Sequence, residues 1–131
     1  MAKPLILIVE DNNVLQKVLQ LMCRKLGVDA EIVSDGTQAL AAFDSKRTYQ
    51  VIFMDWRMPD MDGLTFTRLI REREATTGTH VPIVAMTANV DDDDRKTCLA
   101  VGMDDYLSKP FTTEEFHRTV SRWLGPEQLA M

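Results

Sequence analysis

Glu10, Asp11, Asp55, Thr87 and Lys109 are the residue types needed to move a phosphoryl group onto a carboxylate. Three acids brought within a few ångströms would repel one another by about 4 kcal/mol per close pair at an effective dielectric of about 20, so a cation must sit among them. Hard oxygen donors in small number, with positions left open for water and phosphate, suit Mg²⁺ (or Mn²⁺) better than a caged Ca²⁺ or a nitrogen- and sulfur-bound zinc. Lys109 supplies a second, fixed positive charge, and the Thr87 hydroxyl a hydrogen bond to an equatorial phosphoryl oxygen. Asp55 is then the best-placed nucleophile, and its product would be an aspartyl phosphate.

These residues are far apart in the chain, but most stand directly after an apolar, largely β-branched run. Leu5 to Val9 precedes Glu10, Val51 to Met54 precedes Asp55, and Pro82 to Met86 precedes Thr87. In an open α/β sheet, ligands bind at the C-terminal ends of the strands, so such residues can converge on one pocket. Between the runs the period changes to that of a helix: Val14, Leu15, Val18, Leu19, Met22 and Leu26 recur at spacings of three and four. Asn12 reads as the N-cap of this helix and Gly27 as its stop.

Further strands are expected at 31–33 and 106–107. Further helices are expected after the Asp35/Gln38 capping pair, at about 64–73 and 92–101, and after a Thr112-x-x-Glu115 capping box, the last with Phe116, Val120, Trp123 and Leu124 on one face. Ala75 to Val81 is a polar surface loop, and 126–131 a short tail. Continuous apolar strands alternating five times with helices predict a single-domain, doubly wound α/β sandwich around a parallel sheet, with its core at about 5–124.

Composition narrows the class. At 131 residues there is room for one domain. No apolar run approaches the roughly 18 residues of a membrane span, and the stretch after Lys3 is too short and too acidic for a signal peptide. A soluble, cytoplasmic protein is expected. The net charge of -5 argues against direct nucleic-acid binding, because a phosphate backbone demands clustered Lys and Arg. Cys23 and Cys98 lie in separate helical patterns, so neither a disulfide nor a zinc site is expected. The block Arg71-Glu72-Arg73-Glu74 mixes signs and reads as a solvated helix face. His80 and His117 read as surface residues, and Asp91 to Asp94 as acidic charge at a helix N-terminus.

The segments Glu10-Asp11-Asn12, Met54-Asp55-Trp56-Arg57-Met58-Pro59-Asp60-Met61-Asp62-Gly63, Met86-Thr87-Ala88-Asn89 and Tyr106-Leu107-Ser108-Lys109-Pro110-Phe111 resemble the receiver domain of two-component response regulators. The resemblance runs from about Leu5 to Leu124, and its spaced motifs are highly specific. It implies a five-stranded parallel sheet in the flavodoxin-like order 2-1-3-4-5, and because it takes up almost the whole chain no output domain is expected. Asp55 would accept a phosphoryl group from a phosphohistidine on a sensor histidine kinase or a histidine phosphotransfer protein. Asp11, Asp55 and the backbone carbonyl of Arg57 would bind Mg²⁺, with Glu10 acting through the metal's waters. Thr87 and Lys109 would contact the phosphoryl group, and a cis Lys109–Pro110 peptide would aim the lysine inward.

The resemblance further makes Thr87 and Tyr106 the switch pair and assigns the readout to the face of the fourth helix, fifth strand and fifth helix, in a monomer or a weak dimer through that face. Arg57 and Asn89 would tune hydrolysis. The wording of the motifs and the Ala75 to His80 loop are similar to receivers of hybrid sensor kinases and phosphorelays, although a stand-alone regulator fits as well.

Two rival chemistries fail on particular residues. A haloacid-type phosphohydrolase needs a second acid two positions after its nucleophile, where this chain has Arg57, which cannot act as a general acid or base. A flavodoxin-like cofactor binder needs a phosphate-cradling loop after the first strand, where this chain has Glu-Asp-Asn. A receiver serving only as an interaction module would have no physical need of Asp11, Asp55, Thr87 and Lys109 together.

Overall fold

The computed structural model describes residues 4–45, 48–58, 60–88, 96, 97 and 99–124. Five strands and four helices are placed in the order β1 (Leu5–Val9), α1 (Asn13–Leu26), β2 (Asp29–Val33), α2 (Gly36–Asp44), β3 (Val51–Asp55), α3 (Gly63–Glu74), β4 (Ile83–Thr87), β5 (Asp105–Ser108) and α4 (Thr113–Leu124). The strands form one sheet in the order β2-β1-β3-β4-β5, every neighbouring pair parallel. This is the doubly wound architecture and strand order expected.

Successive strand residues point to opposite faces, which divides the core in two. Ile6, Ile8, Phe53, Val84, Met86 and Leu107 face one way and pack against Leu19, Met22, Cys23 and Leu26 of α1 and Phe116, Val120 and Leu124 of α4. Leu7, Val9, Ile52, Met54, Ile83 and Ala85 face the other way, against Ala39 of α2 and Phe66 and Ile70 of α3. Because both faces are covered, the strands read as unbroken apolar runs rather than as an alternation.

The caps agree with the sequence. The Asn12 side chain accepts from the Leu15 N–H, and Gly27 closes α1 in the left-handed conformation at φ 76°. Asp35 accepts from the Gln38 N–H. Thr112 and Glu115 form a reciprocal box, each side chain taking the other's backbone N–H.

Boundaries move where tertiary pairing overrides local preference. Strand β2 begins at Asp29, two residues early, because Leu5 and Ile6 of β1 pair with Asp29 and Ala30. Strand β4 runs Ile83–Thr87 rather than from Pro82, which has no N–H to give to a ladder. Helix α3 starts at Gly63 behind an Asp62 cap. Of the helix expected at about 92–101, Lys96, Thr97, Leu99 and Ala100 are helical. Asn89, Asp91 to Asp94 and Cys98 lie outside the described residues.

One reading is corrected. The Arg71-Glu72-Arg73-Glu74 block is not a solvated face: Glu74 is buried and Arg71 is largely so. Arg71 spreads its guanidinium over Glu74, the Val81 and Gly102 carbonyls and Asp104. A mixed-sign helix pattern does not reveal that a loop and the segment ahead of β5 close over its last turn.

Candidate phosphoacceptor site

The order β2-β1-β3 reverses direction at β1, so the C-terminal ends of β1 and β3 flank the topological switch point, where open α/β sheets leave a crevice. Val9 pairs with Met54 and Asp55 with Met86, which brings the residues just beyond β1, β3 and β4 to one edge. Glu10, Asp11 and Asp55 each present a carboxylate oxygen there, all within 4.8 Å of one another. Glu10 is 1% exposed and Asp55 9%, whereas Asp11 is open to solvent. The cluster is closed toward the sheet and open on one side. An all-oxygen donor set of this kind fits a hard divalent cation that keeps some of its waters.

Lys109 enters from the end of β5. Its backbone N–H donates to the Thr87 carbonyl at 2.7 Å, and its peptide with Pro110 is cis, as expected. Its Nζ lies 2.7 Å from a carboxylate oxygen of Glu10 and 3.4 Å from one of Asp55. The second Glu10 oxygen accepts from the Asn12 N–H. Burial pushes the Glu10 carboxyl above its ordinary pKa, against the pull of Lys109 and Asn12. Burial opposes the charge of Lys109, but the hydrogen bond to Glu10 and the charge of Asp55 outweigh it, so the ammonium is held above its usual value.

Beside the acids, Asp55, Trp56, Arg57, Thr87, Ala88 and Lys109 line a cavity of about 160 Å³. The Arg57 N–H approaches an Asp55 oxygen at 3.3 Å, so the Asp55 carboxylate is oriented from its own loop. Thr87 and Tyr106 stand on one face of neighbouring strands: Ala85 pairs with Tyr106, and Thr87 follows Ala85 by two residues. Diagonal neighbours of this kind are within reach of an aromatic side chain. The structure thus brings together Glu10, Asp11, Asp55, Arg57, Thr87 and Lys109, with Tyr106 beside them; Asn89 lies outside the described residues.

The charge balance was readable from residue types, but the partner choice within it was not. That Lys109 bonds Glu10 more closely than Asp55 depends on side-chain geometry across 99 residues of sequence. His80, read as a surface residue, is exposed yet pairs with Asp104 at 2.7 Å.

The model of the response regulator receiver domain family matches residues 6–121. The hybrid signal transduction protein dokA of Dictyostelium discoideum is 40% identical over 126 residues, covering 96% of this chain and 7% of that protein. The receiver domain of the sensor histidine kinase PA1611 of Pseudomonas aeruginosa, solved with magnesium coordinated in its active-site cleft, is 46% identical with a TM-score of 0.83, covering 95% of this chain and 99% of that one. The receiver domain of the Saccharomyces cerevisiae response regulator Ssk1, solved with the histidine phosphotransfer protein Ypd1, is 29% identical with a TM-score of 0.86, covering 93% of this chain and 89% of that one.

A doubly wound sheet with an acidic cleft and a lysine at its switch point defines a receiver of phosphoryl signals. The chain belongs to the response regulator receiver domain family, the signal-receiving part of two-component and phosphorelay systems. It spans only a small fraction of the hybrid signalling protein it matches. Among the described residues, no helix is long and apolar enough to cross a membrane.

Proposed function

We propose that Asp55 accepts a phosphoryl group from a phosphohistidine on a sensor histidine kinase or a histidine phosphotransfer protein, and that the chain as a whole forms one receiver domain with its core at 5–124. The observation that supports this best is the juxtaposition of Asp55 with the Glu10 and Asp11 carboxylates and with Lys109 Nζ at 3.4 Å, at the mouth of a phosphoryl-sized cavity.

An Asp55 oxygen forms a bond to phosphorus as the phosphorus–nitrogen bond of the phosphohistidine breaks. The electron pair stays on the imidazole nitrogen, which takes up a proton. Lys109 turns from Glu10 to the incoming phosphoryl oxygens, and the Thr87 hydroxyl donates to another of them. Asp11, Asp55 and the Arg57 carbonyl would hold Mg²⁺ (or Mn²⁺), with Glu10 acting through its waters, and the bound ion would supply neutralising charge for the acids and the phosphoryl oxygens. The chain thereby catalyses only its own phosphorylation and dephosphorylation, and Arg57 and Asn89 tune the access of water.

Drawing Thr87 toward the phosphate vacates space on the face it shares with Tyr106, and the ring turns into it. This favours an altered readout face over β5, α4 and the helix ahead of β5; a preference of a few kcal/mol changes the populations substantially. The phosphoryl group is then read by a partner or passed to another histidine. The similarity to hybrid signalling proteins supports a phosphorelay role; the chain is proposed to act in the cytoplasm, as a monomer or a weak dimer through that face.

The test is intact mass and Trp56 fluorescence after addition of a small phosphodonor, with and without Mg²⁺. A Mg²⁺-dependent gain of one phosphoryl group, absent from Asp55→Asn, is expected. Quenching by Mg²⁺ without any gain in mass would leave a metal-binding interaction module instead.

A further inference from the structure

We infer that the N-terminal turn of α2 is a bracket that holds both acid-bearing loops in position for the cation, with Asp60 as its principal positioning residue. This rests on the cation site proposed above. Asp60 is exposed and lies five residues beyond Asp55. Its carboxylate nevertheless takes three hydrogen bonds from residues more than twenty positions away: from the Gly36 N–H at 3.0 Å, the Thr37 N–H at 2.8 Å and the Thr37 hydroxyl at 2.5 Å. These bonds hold the Asp60 carboxyl below its ordinary pKa, against a burial effect of opposite sign.

The first N–H groups of a helix have no partner inside it and must find one outside. In α2 they are divided between two loops. Asp35, the cap, takes the Gln38 N–H, and Asp60 takes those of Gly36 and Thr37. The fit is close: a Cβ on Gly36 would fall 2.4 Å from Met61 Cγ, so a side chain at 36 would force the Met61 side chain out of its place against α2. The β3–α3 loop carries Arg57, which is bridged to Asp62. Asp62 in turn caps α3 through the Thr65 N–H at 2.8 Å. The stretch between Asp55 and α3 is thus held at its end by α3 and in its middle by α2, with the Arg57 carbonyl between the acceptor and these anchors.

The same turn reaches the other acids. The Gln16 side-chain amide donates to the Glu10 carbonyl and to Ser34 Oγ at 3.3 Å. The Ser34 N–H donates to Gln38 of α2 at 2.8 Å, and the Glu10 N–H to the Val33 carbonyl at 3.0 Å. The β1–β3 ladder sets the strand ends side by side, and beyond it the Glu10-Asp11 loop and the Asp55–Asp62 loop are both tied to one short segment, Ser34 to Gln38. Carboxylates that repel one another drift apart unless their backbones are fixed, and a small cation with strict geometry tolerates little drift.

The bracket predicts a defect in cation affinity separable from one in stability. Mg²⁺ is titrated against Trp56 fluorescence for the wild type, Asp60→Ala, Asp60→Asn, Gly36→Ala and Thr112→Ala, with urea melts of each in EDTA and phosphoryl uptake by intact mass at saturating Mg²⁺. Asp60→Ala and Gly36→Ala should raise the half-saturating Mg²⁺ about tenfold, the size of effect expected when support behind a metal ligand is lost. Asp60→Asn keeps one acceptor oxygen but turns an NH2 toward the other backbone N–H, so it should fall between the wild type and Asp60→Ala. Thr112→Ala removes a helix cap on another element, so it should lower stability without moving the titration. If Asp60→Ala melts early but binds Mg²⁺ as the wild type does, Asp60 is only a helix cap and the bracket is refuted. If the wild type itself neither binds Mg²⁺ nor gains a phosphoryl group, the receiver chemistry fails, and the bracket with it.

Discussion

Lys109 Nζ stands closer to Glu10, at 2.7 Å, than to Asp55, at 3.4 Å. The lysine therefore neutralises the most deeply buried acid and leaves an Asp55 oxygen accessible at the cavity. In the proposed reaction a cation bonded tightly to Asp55 would compete with phosphoryl transfer, whereas one resting on Glu10 is free to turn to the phosphoryl oxygens.

Lys109→Met keeps the length of the side chain and removes its charge. Glu10, 1% exposed, then faces Asp11 and Asp55 without a cation, and breaking a buried pair from one side costs about 3 kcal/mol. Urea melts should show a loss of about this size in EDTA and a clearly smaller one in Mg²⁺. Losses of equal size in both conditions would mean that the stem's packing matters and the charge does not.

Arg71 should be a second point of sensitivity, at the opposite end of the sheet. It donates to Glu74 at 2.5 Å, Asp104 at 2.8 Å and the Val81 carbonyl at 2.8 Å, and twice to the Gly102 carbonyl. Arg71→Met should cost about 3 kcal/mol because it strands the buried Glu74 carboxylate. Arg71→Lys should recover only part of this, since an ammonium cannot reproduce the planar fork. Adding Glu74→Gln to Arg71→Met should restore stability; a double variant no better than the single one would show that Glu74 is not the stranded charge.

The acid limb of stability should depend on Asp62. Its cap bond to the Thr65 N–H holds its carboxyl below the ordinary value of 3.8, against a smaller opposing effect of burial. A lowered folded-state pKa adds stability that is fully present above the unfolded value and disappears as pH falls through the folded one. Asp62→Asn retains a capping oxygen but has no proton to take up, so its stability should fall less as the pH drops below about 4, where an ordinary carboxylate takes up its proton. Identical acid profiles for the two proteins would rule this out.

Thr67 should prove a tolerated defect. It lies wholly buried in α3, and its hydroxyl is the one buried side-chain polar atom without a partner among the described residues. Thr67→Val has nearly the same shape and removes the unsatisfied group, so a gain of about 1 kcal/mol is expected in chemical denaturation. A loss would reveal a hydrogen bond formed in solution.

The strand runs, the helix face of α4, the Leu19, Met22 and Leu26 part of the α1 face (Val14 and Val18 stay exposed), the Asn12, Asp35 and Thr112 caps and the set Glu10, Asp11, Asp55, Thr87 and Lys109 were legible because each depends on residue type and short-range spacing. Burial on both faces produces continuous apolar strands, capping needs a side-chain oxygen within three residues, and strand-end chemistry follows directly after the run that positions it. The sequence by itself therefore determined the layered α/β architecture and the set of side chains that meet in its cleft. Only the tertiary structure decided that Lys109 rests on Glu10, that Arg71 and Glu74 turn inward under the segment ahead of β5, and that Asp60 reaches across to the start of α2. Each of these joins groups separated by a turn of space rather than of sequence. A charged side chain finds its partner only after the sheet has closed, and no local pattern records which of several nearby acids or N–H groups it will meet.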